Sequence, residues 1–374
     1  MNHESLFLTY YGDDFTGSTD VMEALHFHGV PTALFLEPPT PAALRDFRLK
    51  STGGPVEAVG VAGISRSLSP GGMEAELPSL FERLSRLPAR FFHYKICSTF
   101  DSSPEVGNIG MATDLALRYF PSDYVPLVVG APVLKRYVLF GNLFARVGDE
   151  PFRLDRHPTM SKHPVTPMRE SDLRRHLAAQ TARPVRLLDL FALEAPVAER
   201  RARFEALTAG RTDAPFILFD TYHDQHLEAI GELLWGAGDQ DRQLLVGSSG
   251  AEYALMAYLQ RAGRLGAPNP PQPPGPAEQL IAVAGSAAPA TRDQVRHVLD
   301  LGFAGVAIEA ADLVDPGARV AVEERLFDEC LQHLRAGRSL VAYSALGPDD
   351  PAIGRMRRRM EEVQSKESIS AILA

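Results

Sequence analysis

Cysteine is nearly absent: Cys97 and Cys330 are the only two in 374 residues. Two thiols build neither a disulfide framework nor a cysteine-rich zinc site, and their scarcity points to a reducing, cytoplasmic setting. Long apolar runs are missing as well. No stretch approaches the ~18 residues of a membrane span. The start, MNHESLFLTYYGDDFTG, has neither the basic region nor the apolar core of a signal peptide. Positive charge is in deficit, with 38 Lys and Arg against 47 Asp and Glu, a net −9. That argues against broad binding to nucleic acid or an anionic membrane, though a local basic pocket could still hold phosphate. The first turn lacks both the Gly-x-Gly-x-x-Gly fingerprint and Walker A. A nicotinamide-dependent dehydrogenase is therefore disfavoured, although it would share the layout described next. His157 and His163 lack metal-ligand spacing such as His-Glu-x-x-His, so no metal site is expected. His223 and His226 read as surface residues near a helix start.

What is present is an ordinary globular composition, 45% hydrophobic and 23% charged. Short apolar runs at Leu6 to Tyr11, Thr32 to Leu36, Val56 to Val61, Phe91 to Lys95, Tyr124 to Val129, Phe216 to Phe219 and Leu244 to Val246 alternate with helix-period stretches. That rhythm predicts βαβ units and a mostly parallel sheet covered on both faces. Residues 137–167 read as loops or a small antiparallel insertion. The run Ala267 to Pro276, APNPPQPPGP, cannot lie in a helix or central strand, because proline fixes φ and removes donors. It predicts a spacer and hinge. The chain is thus expected to be an α/β protein of two domains, each a mostly parallel sheet flanked by helices: residues 1–265, a linker over 266–279, and a smaller unit over 280–374.

Several strand-to-helix turns carry polar residues that could do chemistry. The first, Gly12-Asp13-Asp14-Phe15-Thr16-Gly17-Ser18-Thr19-Asp20, puts paired carboxylates at a strand end, where doubly wound sheets bind ligands. Such carboxylates can take a hydroxyl proton, hold Mg²⁺ through water, or cap the helix. The second, Lys95 to Gly110, gathers Lys95, Ser98, Thr99, Asp101, Ser102, Ser103 and Asn108. It suits a polyhydroxy anion; the plain alternative is a polar capped loop. Within it Cys97 reads as a small buried filler rather than a nucleophile. Arg66 follows the third strand and could complete an anion site beside Lys95. Gly247-Ser248 and Gly285-Ser286 each open a helix after a strand, a place that favours phosphate. The RMRRR run at 355–359 reads as a solvated helix face.

Together these residues resemble the four-carbon acid sugar kinase family. Asp13 to Asp20 matches its Asp-Asp-Leu/Phe-Thr-Gly-x-x-Asp turn. Lys95 to Ser102 matches its Lys-x-Cys-Ser-Thr-Phe-Asp-Ser signature, followed by Gly-Asn-Ile-Gly at 107–110. His163 to Met168 matches His-Pro-x-Thr-Pro-Met, and Ala284 to Gln294 matches its nucleotide turn in altered form. The resemblance implies an N-terminal acid-sugar domain, a C-terminal ATP domain and phosphorylation of a hydroxyl on threonate, erythronate, 3-oxo-tetronate or the related 3-oxo-isoapionate. Asp14 is then the expected base, with Asp101 and Asp13 as rivals. Asp13, Thr16, Gly17, Arg66, Lys95, Ser98, Asp101, Ser102, Asn108 and His163 would line the sugar acid, Lys95 and Arg66 anchoring its carboxylate. Gly285, Ser286, Gly247 and Ser248 would serve ATP, with Mg²⁺ bridging its oxygens. The expected partners are the sugar acid and ATP, with no nucleic acid and no membrane; the oligomeric state is open, a homodimer being one option. The chain departs from the family pattern at Ala287 and Ala288, and the family's later Gly-Gly-Asp/Glu-Thr-Ser-Gly turn has no counterpart before Ala374. The alternative is therefore a non-catalytic acid-sugar-binding remnant of such a kinase.

Overall fold

The computed structural model describes residues 5–50, 53–162, 166–209, 213–236, 242–265 and 275–363. The chain divides into two compact units, Met1–Pro271 and Gln272–Ala374. Most of the proline-rich spacer, and His163, lie outside the described residues. Among the described residues no helix is long and apolar enough to cross a membrane.

The first unit is built on β1 (Leu6–Gly12), β2 (Thr32–Phe35), β3 (Ala58–Ala62), β4 (Ala89–Lys95) and β5 (Val125–Val128). A hairpin-connected insertion follows, β6 (Arg136–Leu139), β7 (Asn142–Val147) and β8 (Glu150–Arg153). The unit then continues with β9 (Val185–Leu188), β10 (Phe216–Phe219) and β11 (Gln243–Gly247). Eight of these strands form one sheet in the order β2-β3-β1-β4-β11-β5-β10-β9. Every pairing in it is parallel. All seven residues of β1 are buried, as a strand covered on both faces requires. One face is filled by Phe81, Phe92 and Phe120, the last two stacked 3.7 Å apart. Leu25, Ile230 and Leu255 fill the other. Helix Pro70–Ser85 presents Met73, Leu77, Phe81 and Leu84 to the core, one stripe at helical spacing. Each such side chain contributes about 1.5–3 kcal/mol on burial.

The register sets the site. Ala62, Gly12, Lys95, Gly247 and Val128 lie side by side across the carboxyl edge of β3, β1, β4, β11 and β5. The chain order reverses beside β1, so the crossover turns after β1, β3 and β4 open around one crevice.

The second unit has three parallel strands, β12 (Ile281–Ala284), β13 (Ala304–Ala307) and β14 (Leu340–Tyr343), in the order β12-β14-β13. Helices Pro289–Asp300, Pro316–Arg335 and Pro351–Glu362 accompany them. Several helices begin earlier than their apolar periodicity shows. The first runs from Phe15 rather than Asp20, because Asp14 caps it at Gly17 N. The antiparallel pairing of β6, β7 and β8 accounts for the irregular middle of the sequence. The edge strand Val185–Leu188 and helix Val197–Thr208 carry no clear pattern in the sequence. The strand is half-buried and interrupted by Arg186, and the helix buries only Phe204.

Candidate functional site

Asp13 and Asp14 leave the end of β1 in different environments. Asp13 is buried, with 2% exposed. It is gripped from two sides by Arg66, Nη2 to Oδ1 at 2.7 Å and Nε to Oδ2 at 3.2 Å. Burial raises its carboxyl above the ordinary value, against the pull of the Arg66 charge. Burial also opposes the charge on Arg66, but Asp13 outweighs it and the guanidinium stays protonated. Asp14 is half-buried. Its Oδ1 accepts from Gly17 N at 2.7 Å and its Oδ2 from Arg66 Nη1 at 2.5 Å. Asp14 has spare lone pairs and an exposed edge, whereas Asp13 is covered, so Asp14 can accept from a ligand where Asp13 cannot.

Lys95 comes up beside them from the neighbouring strand. Its ammonium donates to Ile96 O at 2.9 Å and lies 3.4 Å from Asp20 Oδ2. Gly17 is the joint between these groups. A Cβ there would stand 2.6 Å from Asp14 Oδ1 and 2.9 Å from Lys95 Nζ, so any side chain would push them apart. Main-chain bonds lock the three turns together: Asp13 N donates to Lys95 O, Arg66 N to Asp13 O and Gly63 N to Gly12 O.

The turn after β4 is held as rigidly. Phe100 is fully buried at φ 59°, a backbone state that a bulky residue adopts only when its surroundings enforce it. Cys97 Sγ, Thr99 Oγ1 and Asp101 Oδ1 form a chain with 2.9 Å steps. Burial, then the Asp101 charge, push the Cys97 thiol up to about 11, which leaves it an inert filler at neutral pH. Gly107, at φ 63°, brings this turn against the turn after β3. Its N–H donates to Leu68 O, and a Cβ on it would meet Arg66 O at 2.6 Å.

The structure gathers Asp13, Asp14, Gly17, Arg66 and Lys95 at one point, and places Ser98 and Asp101, both half-buried, on the adjoining turn. Thr16 is exposed in the first helical turn. Other expected contacts are committed elsewhere. Lys95 is only 1% exposed and is spent on Ile96 and Asp20. The Ser102 hydroxyl donates to Phe100 O, accepts from Gln180 Nε2 and meets His176 Nε2 at 3.0 Å. Asn108 caps helix Ile109–Leu117 through Met111 N, and its amide donates to Pro104 O. Ser248 is fully buried, its hydroxyl donating to Val129 O and accepting from Gly250 N. Gly247 is a lattice residue of the sheet whose carbonyl accepts from Ile96 N and the His93 ring. Neither Gly247 nor Ser248 has a free group for a nucleotide, contrary to the expectation from their turn alone.

Gly285 and Ser286 belong to the second unit, exposed after β12. Helix Pro289–Asp300 starts there with no side-chain cap, and Arg292 N donates to Ala288 O in its first turn. The amides of Ala290 and Thr291 precede that bond and have no partner inside the helix. This donor set fits a phosphate.

His226 is buried, not a surface residue, and lies 3.2 Å from Glu194 Oε1 with the His223 ring stacked on it at 3.8 Å. Its Nδ1 accepts from Tyr222 N, so the neutral ring carries its proton on Nε2, facing Glu194. A metal-bound imidazole needs the reverse arrangement. A cavity of about 570 Å³ opens at the opposite edge of the sheet, lined by Leu6, Phe7, Arg90, Trp235 and Arg264 among others. It has none of the carboxylates found at the β1 turn. Asp20, the last position of the first motif, joins the cluster through Lys95 Nζ, a role that its place in the motif alone did not show.

Two family models match the chain: a sugar-binding N-terminal domain over residues 8–255 and a nucleotide-binding C-terminal domain over residues 281–374. The chain belongs to the four-carbon acid sugar kinase family. Within this family it is 45% identical over 349 residues to a 3-oxo-isoapionate kinase of Paraburkholderia graminis, covering 93% of this chain and 72% of that one. It is 28% identical over 369 residues to a 3-oxo-tetronate kinase of Pectobacterium atrosepticum, covering 97% and 80%. A solved structure from Salmonella typhimurium LT2, provisionally named a tRNA synthase, matches with a TM-score of 0.69 and 25% identity over 96% of this chain and 79% of that one. The two family domains fall one on each unit of the chain.

Proposed function

We propose that this acid sugar kinase transfers the terminal phosphoryl group of ATP to a hydroxyl of 3-oxo-isoapionate or a closely related four- or five-carbon sugar acid. The observation that carries the reading is the meeting of Asp14, Lys95 and Arg66 around Gly17. The 45% identity to a 3-oxo-isoapionate kinase supports the choice of acid. Asp14 is the base. It alone of the first aspartate pair is reachable, with 28% of its side chain exposed against 3% for Asp13. It would take the proton of the attacking hydroxyl as the new oxygen–phosphorus bond forms and ADP leaves. Arg66, itself fixed by Asp13, and the Gly17 N–H hold that carboxylate in place, so little reorganisation is needed at the moment of reaction. Ser98, Asp101 and Thr16, on the turns after β4 and β1 and not buried, would take substrate hydroxyls.

Ser286 and the amides of Ala290 and Thr291 would receive nucleotide phosphate in the second unit. Mg²⁺ carried on the triphosphate supplies neutralisation of its charge. The test is ADP release, coupled to a dehydrogenase readout, over a panel of threonate, erythronate, 3-oxo-tetronate and 3-oxo-isoapionate. Turnover is expected with at least one of them. Binding of an acid by calorimetry with no turnover and no MgATP binding would replace the kinase by a sugar-acid binder. Sedimentation of the same preparation tests the homodimer.

A further inference from the structure

The crevice at the β1 turn poses an electrostatic problem for an acid substrate. Three carboxylates, Asp13, Asp14 and Asp20, surround two cations, Arg66 and Lys95. Arg66 has Nε, Nη1 and Nη2 all engaged with Asp13 and Asp14, and Lys95 is covered. The cluster is acidic on balance and repels a second anion. Its geometry suits the hydroxyl end of a sugar acid. The carboxylate end needs another cation.

Arg136 is that cation by position. It opens β6, and its main chain pairs with Ala131 in both directions, Ala131 N to Arg136 O at 3.0 Å and Arg136 N to Ala131 O at 3.2 Å. Ala131 lies three residues beyond Val128, which shares the edge row with Gly247 and Lys95. Val128 itself stands two strand spacings, about 10 Å, from Lys95 along that edge, and Ala131 carries the chain on beyond it. The side chain is half-buried. Its Nη1 donates to the Leu134 and Lys135 carbonyls, while its Nε is buried without a partner. Among the described residues no carboxylate lies within ion-pair distance of it. Burial lowers its pKa, and the nearest opposing influences are Cys97 and Asp101 of the turn after β4. A cation partly desolvated with no counter-anion is costly, and an incoming carboxylate would offset that cost. Arg66 feels the same Cys97, so both guanidinium groups lie near the turn after β4.

We infer that Arg136 receives the carboxylate of the sugar acid, so that the substrate lies along the carboxyl edge with its reacting hydroxyl at Asp14. The inference rests on the kinase reading and adds the direction in which the substrate lies. It is tested by steady-state kinetics of Arg136→Gln and Arg136→Lys with 3-oxo-isoapionate or whichever acid of the panel the wild type turns over. A charge-assisted hydrogen bond is worth ~1.5–3 kcal/mol. Arg136→Gln should therefore raise the KM for the acid by about 10- to 150-fold, with the loss falling on KM rather than kcat and with the KM for ATP unmoved. Arg136→Lys should recover part of it. An acid KM unchanged in Arg136→Gln overturns the inference, as do losses in kcat and in the KM for ATP that track a lower Tm. Should Arg136→Gln fail to fold, Arg136→Lys alone decides: a folded protein with wild-type acid KM sinks the proposal, and a KM raised several-fold supports it. A wild type that turns over no acid of the panel fails the kinase reading itself, a result separable from either outcome for Arg136.

Discussion

At the scale of single residues, one pair of neighbours shows how environment divides chemistry between like side chains. Asp13 and Asp14 are adjacent carboxylates, yet one is sealed by a two-point grip from Arg66 and the other faces the crevice. Asp14→Asn keeps an acceptor for Gly17 N and so keeps the helix cap. It is expected to lower kcat by about 10²–10⁴-fold while sugar-acid affinity by calorimetry stays within a few fold. Full turnover in that variant would remove Asp14 from the base role. Cys97 makes the opposite case. Its thiol is pushed up to about 11 by burial and by Asp101, so it should resist iodoacetamide at pH 8 on the native protein and react on unfolding. Rapid native labelling would show the turn to be open.

At the scale of elements, the site depends on close approaches that only glycine allows. Gly107→Ala faces both a left-handed φ of 63° and the Arg66 carbonyl at 2.6 Å. The backbone term alone costs about 1 kcal/mol or more. The variant should show a lower Tm and a further fall in activity, because the turn bearing Arg66 must shift. A Tm and activity equal to wild type would contradict that contact. Beneath the site, β4 is tied to helix Gly250–Arg261 by a fully buried pair, His93 Nδ1 to Glu252 Oε1 at 2.6 Å. The other ring nitrogen must donate to Gly247 O, the same carbonyl that accepts from Ile96 N next to Lys95. Removing one partner strands the other in the core. His93→Ala is expected to cost ~3–5 kcal/mol in urea unfolding of the first unit, and a change under ~1 kcal/mol would show the pair to be dispensable.

At the scale of the whole molecule, buried histidines set an acid limit. Burial lowers the pKa of His176, of His157 with help from Arg136, and of His226 with help from His223. Each binds its proton more readily in the unfolded chain, whose histidines titrate near ~6.5. Stability is therefore full above that pH and falls as pH drops below it, since the unfolded state then binds more protons. Tm should decline between pH 7 and pH 5, and His176→Gln, which retains a partner for Ser102, should flatten the decline. A Tm that holds constant or rises over that range would show that these rings are not held neutral.

The residue types alone determined the α/β class, the division into a large and a small unit, and the three polar turns that belong to an acid sugar kinase. Apolar strand runs and turn glycines act locally, so they can be read along the chain. The edge strand Val185–Leu188 and helix Val197–Thr208 escaped because each buries too little surface to leave a period in the sequence. Which polar residues stay free was decided only by tertiary structure. Ser102, Asn108 and Ser248 look like ligand groups in a linear motif, yet each spends its hydrogen bonds on a carbonyl, amide or ring brought close by folding. Arg136 looks like nothing in its own stretch, and it comes under the influence of the turn after β4 only because β6 folds back against Ala131, past the end of β5. Charge balance and hydrogen-bond saturation depend on distances between residues far apart in the chain, and those distances exist only once the sheet has formed.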